Sequence, residues 1–220
     1  MKLYSYFRSS ASYRVRIALN LKGLAYDIVP VHLLKNGGEQ LSPEYRQLNA
    51  DGLVPVLTDD TQGEAAALTQ SLAIIEYLEE THPQPALLPA EPCDRAWVRG
   101  IALSIACDIH PLNNLRVLRY LVRNLNVSED DKNAWYRHWC EQGLAALETT
   151  LARDKRSGRF CYGDTPTLAD CCLVPQVFNA QRLNCDLSRL PTIMRINDAC
   201  LALDAFANAA PAVQPDAETS

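Results

Sequence analysis

A chain of 220 residues with 48% apolar and 21% charged side chains has the make-up of a globular protein, with room for one large domain or two small ones. Its 26 acidic residues outweigh 21 basic ones, for a formal net charge of -5, and no dense basic patch is visible, which argues against nucleic-acid binding. The N-terminus lacks a basic region followed by a long apolar run and no stretch reaches about 18 apolar residues, so neither a secretory leader nor a membrane span is expected and the chain is placed in the cytoplasm.

Strand and helix signals alternate at first. KLYSYF reads as a strand, residues 12 to 22 as a helix closed by Gly23, and YDIVPVHL as a second strand. Ser42 and Pro43 stand where an N-cap and a first-turn proline belong, opening a short helix through Leu48. LVPVLT is strand-like but interrupted by Pro55, which has no N–H for a ladder and so belongs at a strand start or edge, with a cis peptide as one option. A short strand around 66–68 leads into TQSLAIIEYLEE, a helix with Leu72, Ile74, Ile75 and Leu78 on one face and Glu76, Glu79 and Glu80 on another.

HPQPALLPAEP packs four prolines into eleven residues, a density neither helix nor strand tolerates, and reads as a linker. Only helical patterns follow. One runs from about Asp94 to Arg123 with a kink at Pro111. Ser128 and Asp131 cap the next, which continues to about Arg153. Thr167 and Asp170 repeat that spacing for a third, and Pro191 opens a fourth. PAVQPDAETS reads as a loose tail. The expected division is a thioredoxin-like α/β domain over 1–82 with the order βαβαββα, a linker over 83–92, an all-α domain over 93–210 and the tail over 211–220.

The eight cysteines include no C-x-x-C pair and lie mostly in apolar periodic segments, as small buried hydrophobes do. With four scattered histidines, no metal cluster assembles by spacing. Ser9 and Ser10 open a helix, which capping alone explains.

The combination of SSASYRVRIAL (9–19), LVPVL, TQSLAIIEYLEE, CDIHPLNNLRVL and GDTPTLAD resembles the zeta class of glutathione transferases, and within it the bacterial maleylacetoacetate isomerases, from Met1 to about Pro215. The resemblance implies the glutathione transferase fold, glutathione as cofactor, a homodimer, and a small dicarboxylate substrate whose cis double bond is isomerised, in tyrosine and phenylalanine degradation. By it the reactive thiol belongs to glutathione, with Ser9 as the activating hydroxyl, Ser10 beside it and Ala11 in the same turn. A helix N-terminus favours the thiolate. Val54 and Pro55 would offer backbone to the tripeptide, Gln70 and Ser71 would take its γ-glutamyl carboxylate at a helix start, and Gln40 would hold its glycyl end.

For the substrate, Arg182 matches the carboxylate-binding arginine and Arg8 directly precedes the serine turn. His110 and Asn114, four apart on one expected helix face, join the substrate wall. Arg14 and Arg16 are read as structural, pairing with acidic neighbours, and Asp170 as a capping and folding residue. Many zeta enzymes read Ser-Ser-Cys where this chain has Ser9-Ser10-Ala11, and many have Trp where it has Tyr13. Alternatives remain: maleylpyruvate isomerases share CDIHP, zeta-type sites also attack small α-haloacids, and some relatives of this fold only bind a partner.

Overall fold

The computed structural model describes residues 1–60 and 66–218. They group into two compact units, Met1–Leu87 with Leu203–Ser220, and Leu88–Ala202.

The first unit begins β1 (Lys2–Ser5), α1 (Ser10–Leu21), β2 (Asp27–Pro30), two 3-10 turns (Lys35–Gly37, Glu39–Leu41), α2 (Pro43–Leu48), β3 (Val56–Asp59), β4 (Ala66–Thr69) and α3 (Ser71–Thr81). The four strands form one sheet in the order β2-β1-β3-β4. β1 runs parallel to β2 and antiparallel to β3, with Leu3 opposite Ile28 and Leu57. This is the expected βαβαββα order.

Local chemistry sets the boundaries. α1 ends where Gly23 takes φ +65, a conformation glycine adopts at little cost. The Ser42 hydroxyl accepts from Tyr45 N at 3.2 Å, with Pro43 at the first helical position. β3 starts one residue after Pro55, which can give no ladder N–H, and the Val54–Pro55 peptide is cis. Leu3, Val15, Ile17, Leu19, Leu57, Ile74 and Leu78 are fully buried, so α1 and α3 supply much of this unit's core.

Three expectations change in this unit. Glu79 is not on a solvated face: with Lys22 it forms a buried pair at 2.7 Å, and its carboxylate also accepts from Leu87 N. Lys22 Nζ further donates to the carbonyls of His82 and Pro85, which ties down the first part of the proline-rich stretch. Arg16 does not pair with an acid by hydrogen bonding. Its nitrogens donate to Ala209 O, Ser5 Oγ and Phe7 O, and burial lowers its pKa to about 10, which still leaves it charged at neutral pH.

The third is the C-terminal segment, which is not loose over its described part, 211–218. After the short helix α9 (Asp204–Ala207), the chain makes a 3-10 turn at Pro211–Val213. Gln214 is buried and donates to the carbonyls of Asn208 and Ala210. Asp216 accepts from Phe7 N at 2.9 Å, and Glu218 pairs with His32 and Lys35, each at 3.0 Å. Three specific polar anchors outweigh the Pro/Ala-rich composition that reads as disorder.

The second unit is helical: α4 (Pro92–Leu103), α5 (Leu115–Leu125), α6 (Glu129–Arg153), α7 (Leu168–Arg182) and α8 (Pro191–Leu201). The expected continuous helix from 94 to 123 is broken, not kinked. A π-helical turn (Ser104–Ile109) and a 3-10 turn (Pro111–Asn113) separate α4 from α5, and Asn114 is extended, its side chain capping α5 through Arg116 N at 3.1 Å. Pro111 supplies no N–H, and an asparagine placed to cap restarts the helix. Ser128 caps α6 as expected, accepting from Asp131 N and donating to Asp131 Oδ2. α7 carries a reciprocal cap between Thr167 and Asp170, which also takes Cys161 N at 2.8 Å. No helix among the described residues is long and apolar enough to cross a membrane.

Candidate functional site

Ser9 sits between β1 and α1, where a strand end meets a helix start. Its backbone is extended (φ -68°, ψ 116°) and its Oγ accepts from Ser12 N at 3.2 Å, so it is the N-cap of α1. A hydroxyl offers one donor and two acceptor sites, so capping uses an acceptor and leaves the proton to be given elsewhere. Capping and thiol activation are therefore compatible roles. The first N–H groups of a helix lack intrahelical partners and carry the positive end of its dipole, so Ser10 and Ala11 bring an electropositive turn beside that hydroxyl. Ser9 N donates to Tyr6 O at 2.9 Å, closing the turn. Arg8 folds back onto it, Nη2 donating to the Tyr6 hydroxyl at 2.9 Å with the guanidinium 5.1 Å from the Phe7 ring centre.

At the start of α3, Gln70 holds φ +67, a conformation costing a non-glycine residue of order 1–3 kcal/mol. Ser71, the first helical residue, is buried, and its Oγ accepts from Arg14 Nη1 at 3.3 Å. Arg14, expected to pair with acidic neighbours, thus sets a buried guanidinium behind the first turn of α3. An anion at this helix start meets both the helix N–H groups and that cation.

Gln40 is 6% exposed, and its Oε1 is buried with no hydrogen-bond partner among the described residues. Such an acceptor is costly unless a ligand N–H reaches it. Gly38, at φ +113, lies against the amide, where a Cβ would come within 2.7 Å of Gln40 Nε2. A Cβ on Gly52 would come within 2.9 Å of Gln40 O, so the Gln40 turn packs on the segment leading to Val54 and Pro55. Val54 itself precedes β3 and lies outside the β1–β3 ladder. This set fits a tripeptide carrying an α-carboxylate, amide N–H groups and a thiol, which is the chemistry of glutathione.

In the second unit, His110 and Asn114 are brought together, though not on a helix face: the break between α4 and α5 puts Asn114 Nδ2 at 3.5 Å from His110 Nε2. This turn is held on α6 by Trp135 Nε1 donating to Leu112 O at 2.9 Å and Asn113 Nδ2 donating to Tyr136 O at 3.2 Å. Arg182 ends α7, exposed, and its charge acts on the Tyr136 hydroxyl, which burial foremost and the neighbouring thiols hold well above its ordinary pKa. The same stretch of α6 thus meets the His110 turn and the Arg182 charge. Sequence reasoning misses Tyr136 and does not single out Asn113, whose one signal is its place in CDIHPLNNLRVL. A cavity of about 350 Å³ in this unit, lined by Trp97, Ser104, Asp108, Ile109, Gly143 and Thr150 among others, contains none of the sequence-predicted residues.

Three of the buried thiols, Cys140, Cys161 and Cys200, are held protonated, while Cys185 is shifted down by its contact with Cys140. Burial pushes the Cys161 and Cys200 thiols up, and contact with Cys185 together with burial does the same to Cys140. Among the described residues no group of three or more His, Cys, Asp or Glu could hold a metal.

The glutathione S-transferase N-terminal domain family matches residues 3–86 and the C-terminal domain family residues 133–197. A relative from Vibrio cholerae, named a probable maleylacetoacetate isomerase, is 53% identical over 98% of this chain and 97% of its own length. A holo structure of maleylpyruvate isomerase, described as a bacterial zeta-class glutathione transferase, superposes with a TM-score of 0.94 at 50% identity, covering 99% of this chain and 100% of that one. A maleylacetoacetate isomerase from Methylobacterium extorquens AM1, with malonate and glutathione bound, gives a TM-score of 0.94 at 42% identity over the full length of both chains. The turn that presents Ser9, the orphaned Gln40 acceptor and these full-length likenesses agree: the chain belongs to the zeta class of the glutathione transferases.

Proposed function

We propose that the chain is a glutathione-dependent cis–trans isomerase of small unsaturated diketo acids, with 4-maleylacetoacetate as substrate and 4-fumarylacetoacetate as product, serving tyrosine and phenylalanine degradation. The observation that carries the reading is Ser9, an N-cap whose hydroxyl proton remains available at the electropositive start of α1. Glutathione, held by Ser9, Ser10, Ala11, Gln40, Val54, Pro55, Gln70 and Ser71, supplies a thiolate that adds reversibly to the substrate's cis double bond and so lets it rotate. Ser9 donates to the sulfur and favours its ionised form; the free thiol, with a pKa of about 8.5, is mostly protonated at neutral pH. Arg8 and Arg182 grip the substrate's carboxylates, and His110 with Asn114 supplies donors toward oxygens that gain charge as the double bond is attacked.

The experiment is isomerisation of maleylacetoacetate and maleylpyruvate, each with and without glutathione. Glutathione-dependent turnover that is faster on maleylacetoacetate supports the reading. The likeness to maleylpyruvate isomerase at a TM-score of 0.94 favours a second reading, and a preference for maleylpyruvate would select it. Turnover of neither, with glutathione bound, would move the chain to conjugation or partner binding.

Arg182→Ala is expected to raise KM for the dicarboxylate roughly 10- to 100-fold, the worth of one hydrogen-bonded charge pair, with KM for glutathione within about twofold of wild type. Equal increases in both constants would remove Arg182 from substrate recognition.

A further inference from the structure

The residue two positions before Ser9 is held from both sides. Phe7 N–H donates to Asp216 Oδ2 at 2.9 Å, and Phe7 O accepts from Arg16 Nη2 at 3.0 Å. The same guanidinium, fully buried, takes Ser5 Oγ at 3.0 Å and Ala209 O at 2.9 Å. The turn from Tyr6 to Ser9 is thus fastened to a segment 209 residues away in sequence. That segment is itself anchored on α1, through Tyr13 Oη to Phe206 O at 3.5 Å and Asn20 Nδ2 to Ala205 O at 3.0 Å.

We propose that Asp216 is a positioning residue of the thiol-activating turn: by accepting from Phe7 N–H it fixes the Tyr6–Phe7 peptide while Arg16, on Phe7 O, fixes the Phe7–Arg8 peptide, so that both planes flanking Phe7 are set where the chain leads to the Ser9 hydroxyl. This rests on the reading that Ser9 donates to the glutathione sulfur. Hydrogen-bond strength falls steeply with misalignment, and the φ and ψ of Phe7, which relate its two flanking peptide planes, set the direction in which Arg8 and Ser9 follow. Arg16 acts on the Phe7–Arg8 plane only, and the Tyr6–Phe7 plane is held on its carbonyl side by Ser9 N donating to Tyr6 O at 2.9 Å. Asp216 grips that plane on its other side, at Phe7 N–H, and removes its tilt.

The sign of the effect separates positioning from plain electrostatics. Removing a carboxylate near a thiol favours the thiolate and lowers its pKa. Loss of positioning weakens the Ser9 donor and raises it. The probe is the thiol pKa of glutathione bound to the full chain, read from thiolate absorbance against pH. Asp216→Ala is expected to raise that pKa by about 0.5–1 unit, a threefold to tenfold loss of thiolate at neutral pH, with glutathione affinity within about twofold of wild type. Asp216→Asn, which keeps an acceptor without the charge, is expected to stay near wild type. In a Ser9→Ala background, Asp216→Ala is expected to add nothing, because it acts through Ser9.

A lowered pKa in Asp216→Ala and Asp216→Asn alike, or an effect that adds to that of Ser9→Ala, would overturn the proposal while leaving Ser9 in place. An unchanged pKa in Ser9→Ala itself would remove Ser9 from thiol activation and the positioning role with it.

Discussion

Ser9→Ala is expected to lower kcat/KM for isomerisation about 100-fold near neutral pH and to raise the pKa of bound glutathione by about 1–2 units. The first figure is the usual cost of deleting one preorganised donor to a developing or standing anion. The second follows because the hydroxyl stabilises only the ionised form of the sulfur, so its removal shifts the equilibrium toward the thiol. The sign gives a sharper check than the size. With the thiol pKa raised, the variant's rate should climb with pH beyond the point where wild type has levelled, since the thiolate then forms without help. Ser9→Thr keeps both the donor and the cap and should recover most of the activity. The lost N-cap of α1 costs about 1 kcal/mol in Ser9→Ala, small enough for the fold to persist. A variant whose pH profile superposes on wild type would exclude Ser9 as the activating group.

How much of this was readable in the chain depends on the range over which each signal acts. The caps were legible because they are local: Ser42 with Pro43, Ser128 with Asp131 and Thr167 with Asp170 each satisfy helix N–H groups within three residues, and each opens a helix as expected. The break at Pro111 was legible as a disturbance but not in its form. A proline in a helical pattern reads as a kink, and only the capping geometry of Asn114 shows that the helix stops and restarts. Long-range pairings left no pattern to read. Glu79 sits at the spacing of an exposed face, and its burial depends on Lys22, 57 residues earlier. Asp216 lies in a segment whose composition predicts disorder, and its partner is the backbone of Phe7, which no side-chain pattern encodes.

The site divides along the same line. Ser9 and Ser71 are singled out by the family resemblance, because on spacing alone capping explains a serine at a helix start. Arg14 is not, because its contact with Ser71 joins two helices through a core that sequence does not display. Its two-residue spacing from Arg16 put both arginines inside one helix, and the structure gives them different work: one behind the start of α3, the other clamping Phe7 to the C-terminal segment.

Asp170→Ala is expected to destabilise the protein by about 3–5 kcal/mol, lowering Tm by about 10 °C. The carboxylate is fully buried. One oxygen accepts from Cys161 N at 2.8 Å, and the other from Thr167 N at 2.8 Å and Thr167 Oγ1 at 2.9 Å. Alanine would orphan two buried backbone donors, each costing about 1–3 kcal/mol, and remove half of the cap on α7, which is buried along most of its length. Burial raises the Asp170 pKa while these hydrogen bonds pull it back, as expected of a carboxylate retained inside for the donors it satisfies. Asp170→Asn keeps one acceptor but turns an N–H toward the other donors, so about half the loss should remain. Thermal unfolding measures both variants, and kcat at a temperature where each is folded should stay within about twofold of wild type. A variant that kept its Tm and lost kcat would move Asp170 out of the fold's support and into the reaction.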